Sequence, residues 1–313
     1  MGVATQELRL LLVARSMGVK FDRTITMGRQ DLLMTPHQLR KVCQSFGLSI
    51  DEGEAQRIAF DADRFSEPLF EKLGATKVDS MDASGFEGAT VIHDLNEPLP
   101  SGLAGQYSLV FDGGTLEHVF SFPSAIRCCM ELAALGGHVI VASPANNDMG
   151  HGFYQFGPDI FYRVFSPENG YQLQALFLVP AYTTDGDWFK VMDPAKVGRR
   201  IGYNESLKPL YLYAIAQRVS LVPIFLRAPQ QQDYSKEWKT RPNKGVDPSR
   251  LTWFDNEIAA AEQDRMRWGK VKRILRGLAP KVVLRWVQTW RVAWKAVRPP
   301  NSRDFKPFPI PPL

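Results

Sequence analysis

The feature that most constrains this chain is a succession of short β-rich runs that end in small or acidic residues and alternate with helical stretches. Strands separated by helices need crossover connections rather than tight hairpins, so the pattern calls for a largely parallel α/β sheet. The runs are residues 22–28 (DRTITMG), 75–82 (ATKVDSMD), 89–94 (ATVIHD), 107–112 (YSLVFD) and 137–143 (GHVIVAS). Helical patterns fall between them at 35–47, 66–74 and 121–136; the last carries Ile126, Cys129, Met130 and Ala133 on one face, with Gly136-Gly137 as its stop. Beyond residue 150, a helix around 158–165 precedes two further strands, 171–180 and 209–219.

In a doubly wound sheet the ligand sits beyond the carboxyl ends of the strands, so the residues closing each run are the ones to inspect. They are Gly28, Asp82, Asp94, Asp112 and Ser143-Pro144. The first run ends in TMGRQDL, with one glycine and no GxGxxG, which disfavours a pyrophosphate binder and with it a nicotinamide enzyme. Asp82 can accept from both hydroxyls of a ribose or serve as a turn or helix cap. Asp94 can accept from an adenine amino group. After Asp112, Gly113-Gly114 lets the backbone approach a ligand closely before a helix start.

In this order, four elements resemble the class I S-adenosylmethionine-dependent methyltransferases over residues 74–171: Asp82-Ala83-Ser84, Asp94 with Leu99-Pro100, Asp112 with Leu116-Glu117-His118-Val119, and Gly136-Gly137-His138-Val139-Ile140. The resemblance implies an α/β, Rossmann-like seven-stranded methyltransferase sheet with a reversed last strand, the runs 171–180 and 209–219 supplying the last two strands. It implies S-adenosyl-L-methionine as cofactor, with Asp82 at the ribose, Asp94 on the adenine side, and Gly28, Asp112 and Gly113 near the methionine end. The family's glycine-rich motif is reduced here to Gly28, and Arg29 or Gln30 is the candidate partner for the cofactor carboxylate. The implied activity is methyl transfer to an oxygen or nitrogen of a small molecule or glycan precursor. The alternative, motivated by the reduced motif, is a non-catalytic methyltransferase-like protein that binds or scaffolds through its tail.

Segment 143–166 follows the fifth strand and is dense in polar and aromatic groups. Loops at this end of a sheet hold acceptor substrates, which makes Asn146, Asn147, His151, Tyr154 and Gln155 the candidates on the substrate side. The competing reading is an aromatic-packed loop with Phe153, Phe156 and Phe161 in the core. Methyl transfer is an in-line displacement, so the protein supplies alignment and, for a hydroxyl acceptor, a base. His118 and His151 are the candidate bases because imidazole titrates near neutrality; the competing reading, more common for a lone histidine, is a hydrogen-bonded structural group. Glu117-His118 and His93-Asp94 suggest metal pairs, but adjacent side chains diverge on strands and helices, so no metal site is expected. There is no GxSxG nucleophile elbow.

Charge divides the chain further. Its formal net charge of +5 over 313 residues combines 19 basic and 25 acidic side chains in 1–225 with 19 basic and 8 acidic in 226–313. The expected organisation is a methyltransferase-like domain over 1–225 and, over 226–313, a polar linker, basic amphipathic helices and a proline-rich tail without regular structure. Residues 268–300 hold nine Lys or Arg and no acid. On a helical wheel Val282, Val283, Trp286, Trp290, Ala293, Trp294 and Val297 share a face opposite Lys281, Arg285, Arg291, Lys295 and Arg298. Such a helix fits an anionic membrane surface through 268–298, a nucleic acid, or a face of the domain or a partner. Tryptophan favours the headgroup zone, which ranks membrane above nucleic acid.

Cys43, Cys128 and Cys129 form neither a spaced framework nor a CxxC pair, which points to a reducing compartment. No signal, lipid anchor or integral membrane segment is expected. Arg9 and Arg15 interrupt the leucine-rich start, Gln6 stands where a myristoylation motif needs Ser or Thr, and uncharged run 132–147 contains paired glycines and a proline. The location expected is cytoplasmic, with peripheral membrane attachment through the tail.

Overall fold

A computed structural model describes residues 2–61, 63–203, 206–233 and 302–313. Along the chain run β1 (Gly2–Val3), α1 (Thr5–Ser16), β2 (Arg23–Met27), β3 (Asp31–Leu32), α2 (Pro36–Ser45), α3 (Glu52–Gln56), α4 (Glu67–Leu73), β4 (Lys77–Asp82) and β5 (Val91–Ile92). They are followed by β6 (Tyr107–Asp112), α5 (Phe122–Leu132), β7 (Ala133–Asn146), α6 (Pro158–Val164), β8 (Tyr171–Pro180), β9 (Trp188–Val191), α7 (Pro194–Val197), β10 (Leu210–Arg218) and β11 (Phe305–Phe308).

The described residues form a large sheet with strand order β11-β9-β8-β10-β7-β6-β2-β4-β5 and a small ladder of β1 on β3. Strands β7, β6, β2, β4 and β5 are mutually parallel, while β10 enters antiparallel between β7 and β8. Seven of these strands give the expected Rossmann-like methyltransferase sheet with a reversed strand. Two more, β9 and β11, extend its edge.

Alternation along the central strands explains why both faces are covered. Leu109, Phe111, Ile140, Ala142, Phe177 and Tyr213 point into one apolar cluster shared with α1, α2 and α4. Their neighbours Val110, Val139, Val141, Leu176, Leu178 and Leu212 point into the other, shared with α5 and α6. Strands buried on both sides are continuously apolar, which is why these runs were readable in the sequence.

Three expectations change. The strand at 89–94 contracts to Val91–Ile92, which pair with Met81 and Asp82. The helix at 121–136 ends at Leu132, and Ala133 already pairs with Tyr107. Gly137 is needed at this crossing because a Cβ there would stand 2.7 Å from the Tyr107 carbonyl oxygen. Finally, the proline-rich tail is not irregular throughout: Phe305–Phe308 pair with Trp188–Val191, and residues 302–313 belong with the sheet-bearing unit rather than with the extension. Proline is tolerated because β11 is the outermost strand and Pro307 need not donate to a second neighbour. The basic segment 268–298 lies outside the described residues.

Polar anchors tie this edge to the amino terminus. Gln6 Oε1 accepts from the buried Trp188 indole at 2.9 Å, and the buried Arg9 donates to the Pro311 carbonyl at 3.0 Å. Tyr213 donates its hydroxyl to Glu7, whose carboxyl burial holds above the usual carboxylate range. Asp304 is buried and pairs with Arg199 at 2.8 Å. Among the described residues, no helix is long and apolar enough to cross a membrane. Phe305 is 3% exposed, so Phe305→Ala should destabilise the protein by about 3 kcal/mol in urea unfolding, the range for a buried Phe truncation. A change under about 0.5 kcal/mol, typical of a surface site, would show that the tail strand does not contribute to the fold.

Candidate functional site

The chain runs β2 to β4 to β5 on one side of β2 and then crosses to β6 on the other, which places the switch point between β2 and β6. Register fixes what meets there. Met27 pairs with both Met81 and Asp112, so Gly28, Asp82 and Asp112 leave the sheet at the same level. Gly28 has φ +68°, a left-handed conformation in which glycine is the least strained residue, and its N–H donates to the Met81 carbonyl at 2.7 Å. Asp82 Oδ1 accepts from Ser84 N at 3.0 Å, the turn-capping alternative foreseen for it. Asp94 lies two residues past β5 and is exposed; its carboxylate accepts from the backbone and side chain of Asn96, which hold it below the usual range.

Gln30 and Gly113 face one another across this end. The Gln30 amide donates to the Met27 carbonyl, while its Oε1 is buried without a hydrogen-bond partner. A Cβ on Gly113 would stand 2.6 Å from that oxygen, so glycine is what lets Gln30 lie here. Arg29 is engaged elsewhere. It donates to Glu67 and to the Glu87 carbonyl, each at 2.7 Å, and its guanidinium lies 3.7 Å above the Phe65 ring. These contacts staple the loops after β2 and β4, and any role at a cofactor carboxylate would have to release them.

Asp112 organises the next turn. Fully buried, it accepts from Thr115 N at 2.8 Å and Leu116 N at 3.3 Å through Oδ1, and Oδ2 has no hydrogen-bond partner. The resulting single 3₁₀ turn at Leu116–His118 buries Leu116 and Glu117 and leaves His118 exposed. Both Glu117 carboxylate oxygens are buried without hydrogen-bond partners. Burial pushes Asp112 and Glu117 above the usual carboxylate range, and Asp112 raises Glu117 further. Burial, then His151, lowers His118.

The loop after β7 is fastened to that turn. Phe153 N and Tyr154 N donate to the Glu117 carbonyl at 2.7 and 3.2 Å, and the His118 and His151 rings lie 5.0 Å apart. His151 Nε2 is 3.3 Å from Glu117 Oε1. The acceptor-side candidates are largely committed. Asn146 donates to the Tyr203 carbonyl at 2.7 Å, Asn147 to the Lys208 carbonyl at 3.2 Å, and Tyr154 to the Phe120 carbonyl at 2.6 Å. Gln155 accepts from Asp148 N at 3.2 Å. Phe156 and Phe161 are core, as the packed-loop reading has it, whereas Phe153 is 69% exposed.

The structure adds residues that sequence reasoning passed over. Tyr182 donates to Asp148 at 2.7 Å and lies 3.2 Å from the Tyr211 hydroxyl; the Tyr211 ring is 6.3 Å from that of His151. Glu117 was dismissed as a ligand on the geometry of regular strands and helices. The LEH turn has neither geometry: among the described residues, the ligand atoms of Glu117, His118 and His151 lie within 4.8 Å of one another.

No family model and no curated protein matches the chain. Comparison with solved structures finds the branched-chain polyamine synthase of Thermus thermophilus at 12% identity and a TM-score of 0.34, over 73% of this chain. The match spans 61% of that synthase's own length. A 1,6-didemethyltoxoflavin N1-methyltransferase of Burkholderia thailandensis is similar at 10% identity and a TM-score of 0.37, over 69% of this chain and 79% of that one. An S-adenosylmethionine-dependent methyltransferase of Mesorhizobium loti gives 14%, 0.36, 69% and 98%.

Gly152 has φ +76°, and a Cβ there would lie 2.8 Å from the Glu117 carbonyl oxygen. Gly152→Ala should therefore cost about 2 kcal/mol through left-handed strain and the collision. Gly150, with open space around its Cβ position, is the control. Equal urea midpoints for the two alanine variants would show that the loop is not seated on the LEH turn.

Proposed function

We propose that this chain is an S-adenosylmethionine-dependent methyltransferase acting on an oxygen or nitrogen of a small molecule or glycan precursor. The observation that carries the reading is the in-register meeting of Gly28, Asp82 and Asp112 at the switch point, with two buried acceptors there, Asp112 Oδ2 and Gln30 Oε1, lacking partners. Buried acceptors without donors are costly and suit a ligand that brings N–H groups or positive charge. The methionine ammonium and the sulfonium supply both. The residues present therefore fit this cofactor: Asp112, Gln30 and Gly28 at its methionine end, Gly113 allowing close approach, Asp82 at the ribose and Asp94 on the adenine side. Arg29 supports the site by holding its loops together.

The bound cofactor supplies an activated methyl group. This chain's residues align an acceptor with it, the main contribution to an in-line displacement. Asn146, Asn147, Tyr154 and Gln155 shape the acceptor side, and their existing bonds fix the loop that presents it. His151 and His118 are the groups placed to take a proton from a hydroxyl acceptor. Calorimetric titration of the full chain at about 100 μM with S-adenosylhomocysteine should release heat, and Asp82→Ala should weaken binding about 30-fold, the loss of a charged hydrogen-bond acceptor. No heat from the wild-type protein would refute the enzyme and favour the non-catalytic scaffold.

The same proposal extends to location: a cytoplasmic protein attached peripherally to anionic membrane through 268–298. Its support is the basic, tryptophan-striped pattern alone. Because Phe305–Phe308 pair with the sheet edge, truncation is the wrong test. Full-length protein carrying Trp286→Ala, Trp290→Ala and Trp294→Ala should float less with anionic liposomes than wild type; equal flotation would sink the membrane role.

A further inference from the structure

Glu117 is 0% exposed, and neither of its carboxylate oxygens has a hydrogen-bond partner. Protein interiors rarely leave a carboxyl in this condition, because the desolvation cost is met by protonation, by a cation or by donors. Among the described residues, the basic group within 4 Å is His151 Nε2, 3.3 Å from Oε1 in a contact that lacks hydrogen-bond alignment. His118 presents a second imidazole from the adjoining residue, and the three ligand atoms lie within 4.8 Å.

From this juxtaposition we propose that Glu117, His118 and His151 form a binding site for one divalent transition-metal cation of the zinc type. Two imidazoles and one carboxylate are borderline donors that suit such ions better than magnesium or calcium, which favour all-oxygen shells. Metal–ligand bonds of about 2.0–2.1 Å in a tetrahedral shell set ligand atoms about 3.3 Å apart, the separation already present between His151 Nε2 and Glu117 Oε1. His118 is exposed and can rotate inward to close the third edge. The elements that set the site are independent of one another in sequence. Asp112 folds the turn that buries Glu117, and the Glu117 carbonyl seats the loop that carries His151. Gly152, whose lack of a side chain permits that seating, directly follows the third ligand.

Three protein ligands leave a coordination position open, the arrangement of reactive rather than closed structural sites. The open position takes an oxygen of the acceptor or of water. A bound cation converts the two histidines from free bases into ligands.

The test uses untagged full-length protein, stripped with chelator and titrated with Co²⁺ alone, followed by Zn²⁺ displacement and with no methyl donor present. Wild type should develop visible cobalt bands that saturate at one equivalent and vanish as zinc is added. Loss of a second-shell partner already costs about 10- to 100-fold in affinity, so Glu117→Gln and His151→Ala should each weaken binding at least about tenfold while far-UV circular dichroism stays unchanged. His118→Ala should do the same, and His37→Ala, on the exposed side of α2, should match wild type. Absence of saturable cobalt binding in wild type overturns the site, as does wild-type affinity in Glu117→Gln and His151→Ala. Failure of S-adenosylhomocysteine to bind leaves this readout untouched.

Discussion

The candidate site depends on one buried carboxyl, that of Asp112. Asp112 closes β6 and at once accepts from the amides of Thr115 and Leu116, which forces the chain into a single tight turn instead of letting a helix begin. That turn drives Glu117 into the interior and turns its carbonyl toward the later loop, which then hangs from it by two backbone hydrogen bonds. The positions of both histidines follow from this. A buried carboxyl whose oxygens lack hydrogen-bond partners costs stability, and an apolar residue would fill the space more cheaply.

The contrast between the two ends of the sheet supports the same point. Near the amino terminus the buried polar side chains each find a partner, Gln6 in Trp188, Arg9 in the Pro311 carbonyl and Glu7 in Tyr213, although Arg9 Nε has none. At the switch point, Gln30 Oε1, Asp112 Oδ2 and both Glu117 oxygens have no hydrogen-bond partners. Four such oxygens therefore lie beside the point where the strand order reverses, the place where open α/β sheets take ligands.

Much of the architecture was legible because a parallel strand buried on both faces is written as an apolar run, and YSLVFD and YQLQALFLVP announce themselves with their boundaries intact. What escaped was short or at the edge. Trp188–Val191 and Phe305–Phe308 are four residues each, distant in sequence, and one contains proline; their pairing exists only through tertiary contact. Helix Thr5–Ser16 was weighed only as a targeting signal, since leucines on nearly every face carry no amphipathic period. At the site, the strand-end residues Gly28, Asp82 and Asp112 were readable from topology alone. Glu117 was not, because its direction depends on a 3₁₀ turn that no periodicity encodes.

The pairing of β11 with β9 also changes what kind of object the basic segment is. Residues 208–232 and 302–313 both belong to the sheet-bearing unit, through Gln232 on Asp159 at one end and the edge ladder at the other. The intervening stretch is thus a closed excursion with two fixed feet, not a free end. Whatever binds it is therefore tied to the sheet-bearing unit at two points of the chain instead of one, and the second of them is a strand of the sheet itself.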